Sequence, residues 1–466
     1  MDNCTPNPPS YEEIFGVAPD VPCLPVYPLE APPPYTQPVL EGCTANSSPP
    51  LAYADFLPKL LAPGGQTDLP EFEPFPTILE VVNDWLRSNQ NFRVLHSECL
   101  DRKISREGIL ETESTVHHES ANGASVFVRG LRLWLRPATE GEPPHQLGYV
   151  NLFPERKHGI FLQPERVFIG AGASIGFSFG RMRGIEIPVH ETIDEMVCKF
   201  NQGVGMNPLP GKILNVDTVE MRHTGSGTRV LFPEIRHPDK TCWSESGNSI
   251  RFVIHCLKVF FIVGPPLQEE IAITDFTPKM IRCVGLTNPT FEKYPENLKK
   301  ASKFIHDNQM AVTNIQTIQS KVDINFGECS IDSKKTDYYH NLIDTIFAKV
   351  IRVISITNQS SQKINHLSTK CFVPQRNGKE AQPMGQCIEN VNKWLQTQNV
   401  SVIGIDTLST ELIPEAKVVN TDKSSVRWIP GRGHYKISLF RLYLNGFVYD
   451  PVEEVNKQES QCCSVA

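Results

Sequence analysis

The last four residues of the chain place a cysteine, an aliphatic residue and a small residue at a fixed spacing. Cys463-Ser464-Val465-Ala466 matches the CaaX pattern, in which a prenyl group is attached to the cysteine thiol, and the final alanine favours farnesyl. One prenyl chain gives only reversible membrane binding, so a second signal is expected. The preceding residues are acidic, which leaves Cys462 as the candidate for a palmitoyl chain. An unmodified terminus is the alternative.

Two short motifs near the other end have the chemistry of a peptide ligand. Pro8-Pro9-Ser10-Tyr11 and Pro32-Pro33-Pro34-Tyr35 both match PPxY. A preformed polyproline II turn presents its prolines to the aromatic groove of a WW domain at little entropic cost, and the tyrosine fills the adjacent pocket. We expect WW-domain proteins to bind here, with a plain spacer as the alternative. The segment resembles the tails of adaptors that recruit Nedd-type HECT ubiquitin ligases, which implies such ligases as partners.

Tyr11 also begins a second pattern, Tyr11-Glu12-Glu13-Ile14, which resembles the sequence that Src-type SH2 domains prefer after phosphorylation. A phosphate adds charge for an SH2 arginine and makes the tyrosine a poor fit for an apolar pocket. Phosphotyrosine at Tyr11 would therefore exchange a WW partner for an SH2 partner. The alternative is an acidic spacer that follows a WW ligand.

Signals for catalysis, metals and cofactors are weak. The stretch from Gly170 to Gly176 has the wrong spacing for a dinucleotide loop, and the chain contains no GxxxxGK[ST], HExxH or GxSxG motif. His117 and His118 are adjacent but have no carboxylate or cysteine at metal-ligand spacing. The sequence predicts no cofactor, no metal and no catalytic residue. An enzymatic or small-molecule-binding body remains the alternative to an adaptor.

Composition divides the chain into two parts. Overall, 40% hydrophobic and 21% charged residues are typical of a soluble globular protein, and neither a secretory signal nor a long apolar run occurs. Residues 1–76 hold ten acidic residues, one basic residue and 18 of the 38 prolines. Such a segment cannot recover the entropy of ordering, so we expect residues 1–74 to be disordered. The remaining charge of about +2 does not favour nucleic-acid binding.

An internal repeat organises the rest of the chain. Trp85 and Arg132 are 47 residues apart, and so are Trp394 and Arg441. Each tryptophan lies on an amphipathic helix pattern that runs into two alternating strand patterns. Fainter copies pair Phe304 with Arg352, at 48, and Phe200 with Lys258, at 58. The predicted fold class is α+β, with tandem helix-strand-strand repeat modules that pack against one another, two copies being clear and two less so.

The predicted segments follow from this spacing. After the tail at 1–74 come repeat 1 at 75–146, a strand-rich insertion at 147–189, repeat 2 at 190–265, repeat 3 at 295–357, repeat 4 at 385–447 and a flexible lipidated tail at 448–466. Repeats 1 and 4 should superpose, with Trp85 and Trp394 at equivalent buried positions. Ile78, Val81, Val82 and Leu86 should share the buried helix face.

Two further patterns lead to expectations about the strands. A cation falls between apolar neighbours in each second strand, and alternation places it on the opposite face from them, so we expect all four in solvent: Arg132, Lys258, Arg352 and Arg441. A matched ligand-binding row is the alternative. Leu152–His158 and Leu231–His237 have similar sequences and predict matching loops.

Together these patterns predict a non-enzymatic adaptor at the cytoplasmic face of a membrane. The lipid at Cys463 would hold it there, and the N-terminal segment would capture WW-domain proteins. The repeated body would bind a cargo or form an oligomer.

Overall fold

The computed structural model describes most of the chain between residues 50 and 449. The described ranges are 50–64, 69–104, 113–119, 124–161, 186–224, 237–246, 251–282, 289–325, 328–340, 345–357, 363–377, 380–412, 419–428 and 434–449.

Four successive units share one order of elements: a first strand, a small hairpin, a helix, a long strand, a short strand and a second long strand. Unit 1 comprises β1 (Ala52–Phe56), β2 (Leu60–Ala62), β3 (Glu71–Phe72), α1 (Phe75–Ser88), β4 (Phe92–Lys103), β5 (Val116–Glu119) and β6 (Ala124–Pro137). Unit 2 comprises β7 (Leu147–Leu152), β8 (Arg156–Phe161), β9 (Glu186–His190), α2 (Ile193–Met206), β10 (Leu209–Thr224), β11 (Cys242–Ser246) and β12 (Arg251–Leu267).

Units 3 and 4 repeat the order. Unit 3 comprises β13 (Glu270–Phe276), β14 (Met280–Arg282), β15 (Thr290–Phe291), α3 (Tyr294–Asp307), β16 (Val312–Asn325), an extra strand β17 (Glu328–Ile331), β18 (Asp337–His340) and β19 (Thr345–Thr357). Unit 4 comprises β20 (Leu367–Phe372), β21 (Arg376–Asn377), β22 (Glu380–Ala381), α4 (Met384–Leu395), β23 (Ser401–Leu412), β24 (Ser425–Trp428) and β25 (His434–Asn445).

The sheets are arranged like the blades of a four-bladed propeller, and each blade borrows one strand. In blade 1 the long strand β6 pairs with β4 on one side, and with β1 and β11 in succession on the other. Because β11 belongs to unit 2, the short strand of one unit completes the preceding blade. β18 and β24 do the same for blades 2 and 3, and β5 of unit 1 completes blade 4 by pairing with β25. This last exchange closes the ring.

Each helix lies at a boundary between two blades. On α1, Ile78, Val82 and Leu86 recur at a spacing of four and are buried against blade 1 and against Phe260 of blade 2. The corresponding contacts of α2, α3 and α4 reach Ile354, Tyr443 and Trp134, each in the following blade. The four hydrophobic clusters therefore form a continuous ring, with α4 packed on blade 1.

A side chain in the middle of each helix also binds the first strand of the next unit. The Asn83 side chain accepts a hydrogen bond from the Leu147 amide at 2.8 Å and donates one to the Leu147 carbonyl at 2.9 Å. Three helices use asparagine in this way, and α3 uses Ser302. The pairs are Asn83–Leu147, Asn201–Ile271, Ser302–Leu367 and Asn392–Leu51.

The first strands end in a common way, which explains a sequence similarity noted above. A buried proline follows each strand, and the next residue donates its N–H to an acidic or amide side chain just before the helix. The four prolines are Pro58, Pro154, Pro278 and Pro374, and the N–H donors bind Glu73, Glu191, Glu292 and Gln382. Pro154 belongs to the motif at 152–158. Most of its expected match, residues 231–236, lies outside the described residues.

The protein is thus α+β, mainly strands with four helices in the described ranges, but its unit differs from the helix-strand-strand module expected from the sequence. The first strand and hairpin belong to the unit, and the short strand pairs outside it. Residues 147–189 are therefore not an insertion, since β7 occupies the same place as β1, β13 and β20. Likewise β1 to β3 lie within the segment expected to be a tail, and they are folded.

The expected tryptophan positions are equivalent, but the side chains are only half-buried. Trp85 and Trp394 are each the eleventh residue of their helix, and Trp85 stacks on Phe92 while Trp394 meets Phe372 edge-on. Val81 is 41% exposed, so its predicted place on the buried face was wrong. In α2 the eleventh residue is Gly203 rather than Phe200, so the alignment of that copy was shifted by three.

Candidate functional site

The strands β4, β10, β16 and β23 surround the centre of the ring, because each packs against the next and β23 packs against β4. A register shift, or β-bulge, interrupts the pairing of all four strands at the same place: Val94/His96, Ile213/Asn215, Val312/Asn314 and Val402/Gly404. A bulge bends and twists a strand and re-aims the side chains that follow. Here those side chains reach across to the neighbouring blade.

Four of these side chains form a closed hydrogen-bonded ring, which we call the axial ring: Glu98, Asp217, Gln316 and Asp406. Each accepts the backbone N–H of the residue that follows the ring member in the preceding blade. The N–H donors are Thr407 to Glu98 at 2.7 Å, Cys99 to Asp217 at 2.7 Å, Thr218 to Gln316 at 3.1 Å and Thr317 to Asp406 at 2.5 Å. The last contact links blade 4 back to blade 3, and the first links blade 1 to blade 4.

A second layer of contacts lies two residues before the axial ring. Asn215 binds both the N–H and the carbonyl of Ser97, and Asn314 binds both groups of Val216. Gly404 takes this place in blade 4, where a Cβ would lie 3.4 Å from the Ile315 carbonyl oxygen. His96 takes it in blade 1, and its complete burial lowers its pKa to about 4, so it is neutral at pH 7.

The repeated cations are buried, which corrects the expectation that they face solvent. The exposed fractions of Arg132, Lys258 and Arg352 are 0%, and that of Arg441 is 1%. Alternation correctly placed them on the face opposite their own helix. That face, however, is covered by the preceding blade, because the Arg132 guanidinium donates to Thr407 Oγ1 of blade 4 at 3.1 Å. We call these four residues the axial cations.

Blades 1 and 3 neutralise their arginine with an aspartate from the first strand. Arg132 donates from Nε and a terminal nitrogen to the two Asp55 oxygens, both at 2.6 Å. Arg352 binds Asp275 in the same bidentate way at 2.8 Å. Although burial opposes both charges, the Arg352 guanidinium holds the pKa of Asp275 below its usual range.

Blade 2 uses a lysine and a different acid. Lys258 Nζ donates to Asn151 Oδ1 at 2.6 Å and to Asp239 Oδ1 at 3.2 Å. The ammonium also lies 4.0 Å from the centre of the Phe75 ring and 4.6 Å from that of Tyr149, within cation–π range. Burial alone would raise the pKa of Asp239, but hydrogen bonding from Asn151 and the Lys258 charge lower it. The cation is therefore fully accommodated.

Blade 4 departs from this scheme. The residue opposite Arg441 on the first strand is Cys371, whose Sγ accepts from Arg441 Nε at 3.2 Å. The other guanidinium nitrogens bind Thr317 Oγ1 and the Thr421 carbonyl, and the Tyr294 ring centre lies 3.6 Å away. No carboxylate of the described residues forms an ion pair with Arg441.

Burial also governs the acids of the axial ring. It raises the pKa of Glu98 and of Asp217, and it raises that of Asp406 to about 8. Asp406 is therefore mainly protonated at pH 7. All three accept backbone hydrogen bonds that tie two blades together. What this arrangement does chemically is close the ring, since its polar groups bind one another.

The two ends of the described body are held at the same helix. Asn392 on α4 binds the N–H and the carbonyl of Leu51, both at 2.8 Å. Gln398, six residues further on, accepts from the Tyr449 N–H at 3.1 Å and donates to the Tyr449 carbonyl at 2.9 Å. The segments that precede residue 51 and follow residue 449 therefore leave the body next to each other.

The residues predicted from sequence to carry binding and lipidation lie outside the described residues. These are Pro8, Pro9, Tyr11, Pro32, Pro33, Tyr35, Cys462 and Cys463. Of the adjacent histidines, His117 and His118 lie on β5, opposite Lys436 and Tyr435 of β25. They are thus part of the strand that closes the ring.

Within the described ranges, no group of three or more histidine, cysteine or acidic side chains could hold a metal ion. None of the helices described is long and apolar enough to cross a membrane. No protein-family model, curated protein or solved structure matches this chain.

Proposed function

We propose that the protein is a non-enzymatic adaptor that works at the cytoplasmic face of a membrane. A prenyl group on Cys463, helped by a palmitoyl group on Cys462, anchors it. The motifs ending in Tyr11 and Tyr35 capture WW-domain proteins, including Nedd-type ubiquitin ligases. Phosphorylated Tyr11 binds an SH2 domain instead.

One structural observation supports this combination: Leu51 and Tyr449 are both bound by side chains at the end of α4. The WW ligand and the lipid site therefore extend from neighbouring points. Tyr35 lies 16 residues before Leu51, and Cys463 lies 14 residues after Tyr449. Even fully extended, these segments reach at most about 55 Å, at about 3.3–3.6 Å per residue. A captured ligase would be kept close to the bilayer and act on membrane proteins.

The four-bladed body would then serve as a rigid base. We propose that its units are tandem copies of one α+β ancestor, since the same side-chain contacts recur at each blade boundary. A closed ring holds the two exit points at a constant separation, whereas a hinged body would not.

The test compares recruitment of a tandem WW domain to vesicles by the prenylated full-length protein and its variants. Tyr11→Ala with Tyr35→Ala should stay on the vesicles but fail to recruit the WW domain. Cys463→Ser should bind the WW domain in solution but leave it off the vesicles. Tyr27→Ala, outside the two motifs, is the matched control. Undiminished recruitment by both test variants would refute the proposal.

A further inference from the structure

A small cavity lies between blades 3 and 4, beside the axial cation that has no carboxylate partner. Its volume is about 20 Å³, enough for one water-sized species. Its lining is polar and cationic, with hydroxyl groups nearby. The residues that matter are Lys349, Arg441, Thr317, Ser409, Thr410 and Thr421.

Lys349 brings the first positive charge. The residue is only 8% exposed, and no hydrogen bond or ion pair of its Nζ is formed within the described ranges. The same position in blade 1 is Arg129, which binds Asp101 at 2.8 Å, and in blade 2 it is His255, 3.7 Å from Glu220. Burial lowers the pKa of Lys349 to about 8, so the amine still carries its proton for most of the time at pH 7.

Arg441 brings the second charge, and the acids around it do not cancel the pair. Cys371 stands where blades 1 and 3 have Asp55 and Asp275. Asp406 lies opposite Arg441 on the other side but accepts from the Thr317 N–H and from the Tyr443 hydroxyl. Burial keeps Asp406 mainly protonated at pH 7.

The surface groups near Lys349 also offset one another. Asp422 favours the charged amine and Lys423 opposes it, and both side chains are exposed to solvent. Two buried cations beside a neutral acid are costly unless a counter-charge is present. A cavity of ionic size lies between them.

We propose that this cavity binds one small inorganic anion of about the size of chloride. The Lys349 ammonium and the Arg441 guanidinium supply the charge, and hydroxyl groups complete the coordination. The anion takes the role that Asp55 and Asp275 have in blades 1 and 3. This inference is independent of the proposed adaptor function.

Thermal unfolding of the full-length protein tests the proposal. In buffers of equal ionic strength at pH 7, replacing gluconate by chloride should raise the Tm, and the rise should grow with the logarithm of the chloride concentration. Lys349→Met should abolish this dependence. Lys299→Met is the matched control, because that side chain is 74% exposed, and it should behave like the wild type.

A second variant makes use of the blade symmetry and does not remove a buried group. Cys371→Asp places a carboxylate where blades 1 and 3 already have one, so the protein should become more stable in gluconate and insensitive to chloride. Crystals grown in bromide should show one anomalous peak beside Lys349. A wild type that ignores chloride, a Cys371→Asp variant that keeps the wild-type dependence, or stabilisation by sulfate but not by chloride would each overturn the proposal.

Discussion

The Arg132 guanidinium binds both carboxylate oxygens of Asp55, 77 positions away in the sequence, and neither side chain reaches solvent to any extent. A third bond from the same guanidinium reaches Thr407 in blade 4. One side chain thus joins the first strand of the ring, its own blade and the last blade. Arg102 adds a second cation 3.6 Å from Asp55.

Removing this guanidinium should be strongly destabilising. Arg132→Met leaves Asp55 buried and without its bidentate partner, which costs about 3–5 kcal/mol in comparable cases. The matched control is Arg87→Met, since Arg87 pairs with Asp84 on the surface, where such pairs contribute about 0–1 kcal/mol. Denaturant unfolding of both variants measures the difference. Equal losses in the two variants would mean that burial of the axial cations does not matter.

Truncation should show where the folded body begins. A chain starting at residue 50 keeps β1 and the contact between Leu51 and Asn392, so its Tm should equal that of the full chain. A chain starting at residue 57 lacks β1 and Asp55 and exposes one side of β6. It should melt at a much lower temperature or aggregate through the free strand edge. Equal melting of the two fragments would contradict the assignment of β1 to blade 1.

Asp406 should make the protein less stable as the pH rises. The unfolded chain releases this proton near pH 4, whereas the folded protein keeps it up to about pH 8. Between these values the folded state binds more protons, so raising the pH lowers the free energy of unfolding, by at most about 1.4 kcal/mol per pH unit.

Asp406→Asn should remove that contribution, because an amide mimics the protonated acid and Gln316 already holds the same place in blade 3. The measurement is Tm against pH from 5 to 8, with the exposed Asp84→Asn as control. A variant curve parallel to that of the wild type would show that Asp406 is ionised in the folded protein.

The two terminal cysteines should contribute unequally to membrane binding. Prenylation precedes the membrane encounter that palmitoylation requires, so Cys463→Ser should release the protein into the cytosol. Cys462→Ser should leave it prenylated and exchanging among membranes, since one chain binds only marginally. Cell fractionation with mass spectrometry of the C-terminal peptide measures both effects. An intact, unmodified terminus in the wild type would rule out the anchor.

The sequence predicted the α+β class and found the spacing between Trp85 and Arg132 that recurs in unit 4. It misplaced unit 2, because Gly203 occupies the tryptophan position there and Phe200 was used instead. The beginnings of the units were also missed, although Pro58, Pro154, Pro278 and Pro374 mark them. The lengths between these prolines and the helices differ too much for a fixed spacing to show.

The burial of the axial cations could not have been read from alternation. A period of two states which residues share a sheet face, but it does not state what covers that face. The cover over Arg352 is Thr218, a residue of another unit 134 positions away. A cation recurring at the same place in four copies was the available signal, since a solvated face has no need to repeat one charge.

Closure of the ring has a consequence for how the protein is made. The bond between Leu51 and Asn392 spans 341 positions, and β5 waits for β25, the last strand of unit 4. While the chain is being synthesised, blade 1 can form but its neighbour on one side does not yet exist. Its cationic face and the free β5 strand would stay uncovered until the final unit leaves the ribosome. A ribosome that stalls within unit 4 should therefore leave a nascent chain that depends on chaperones.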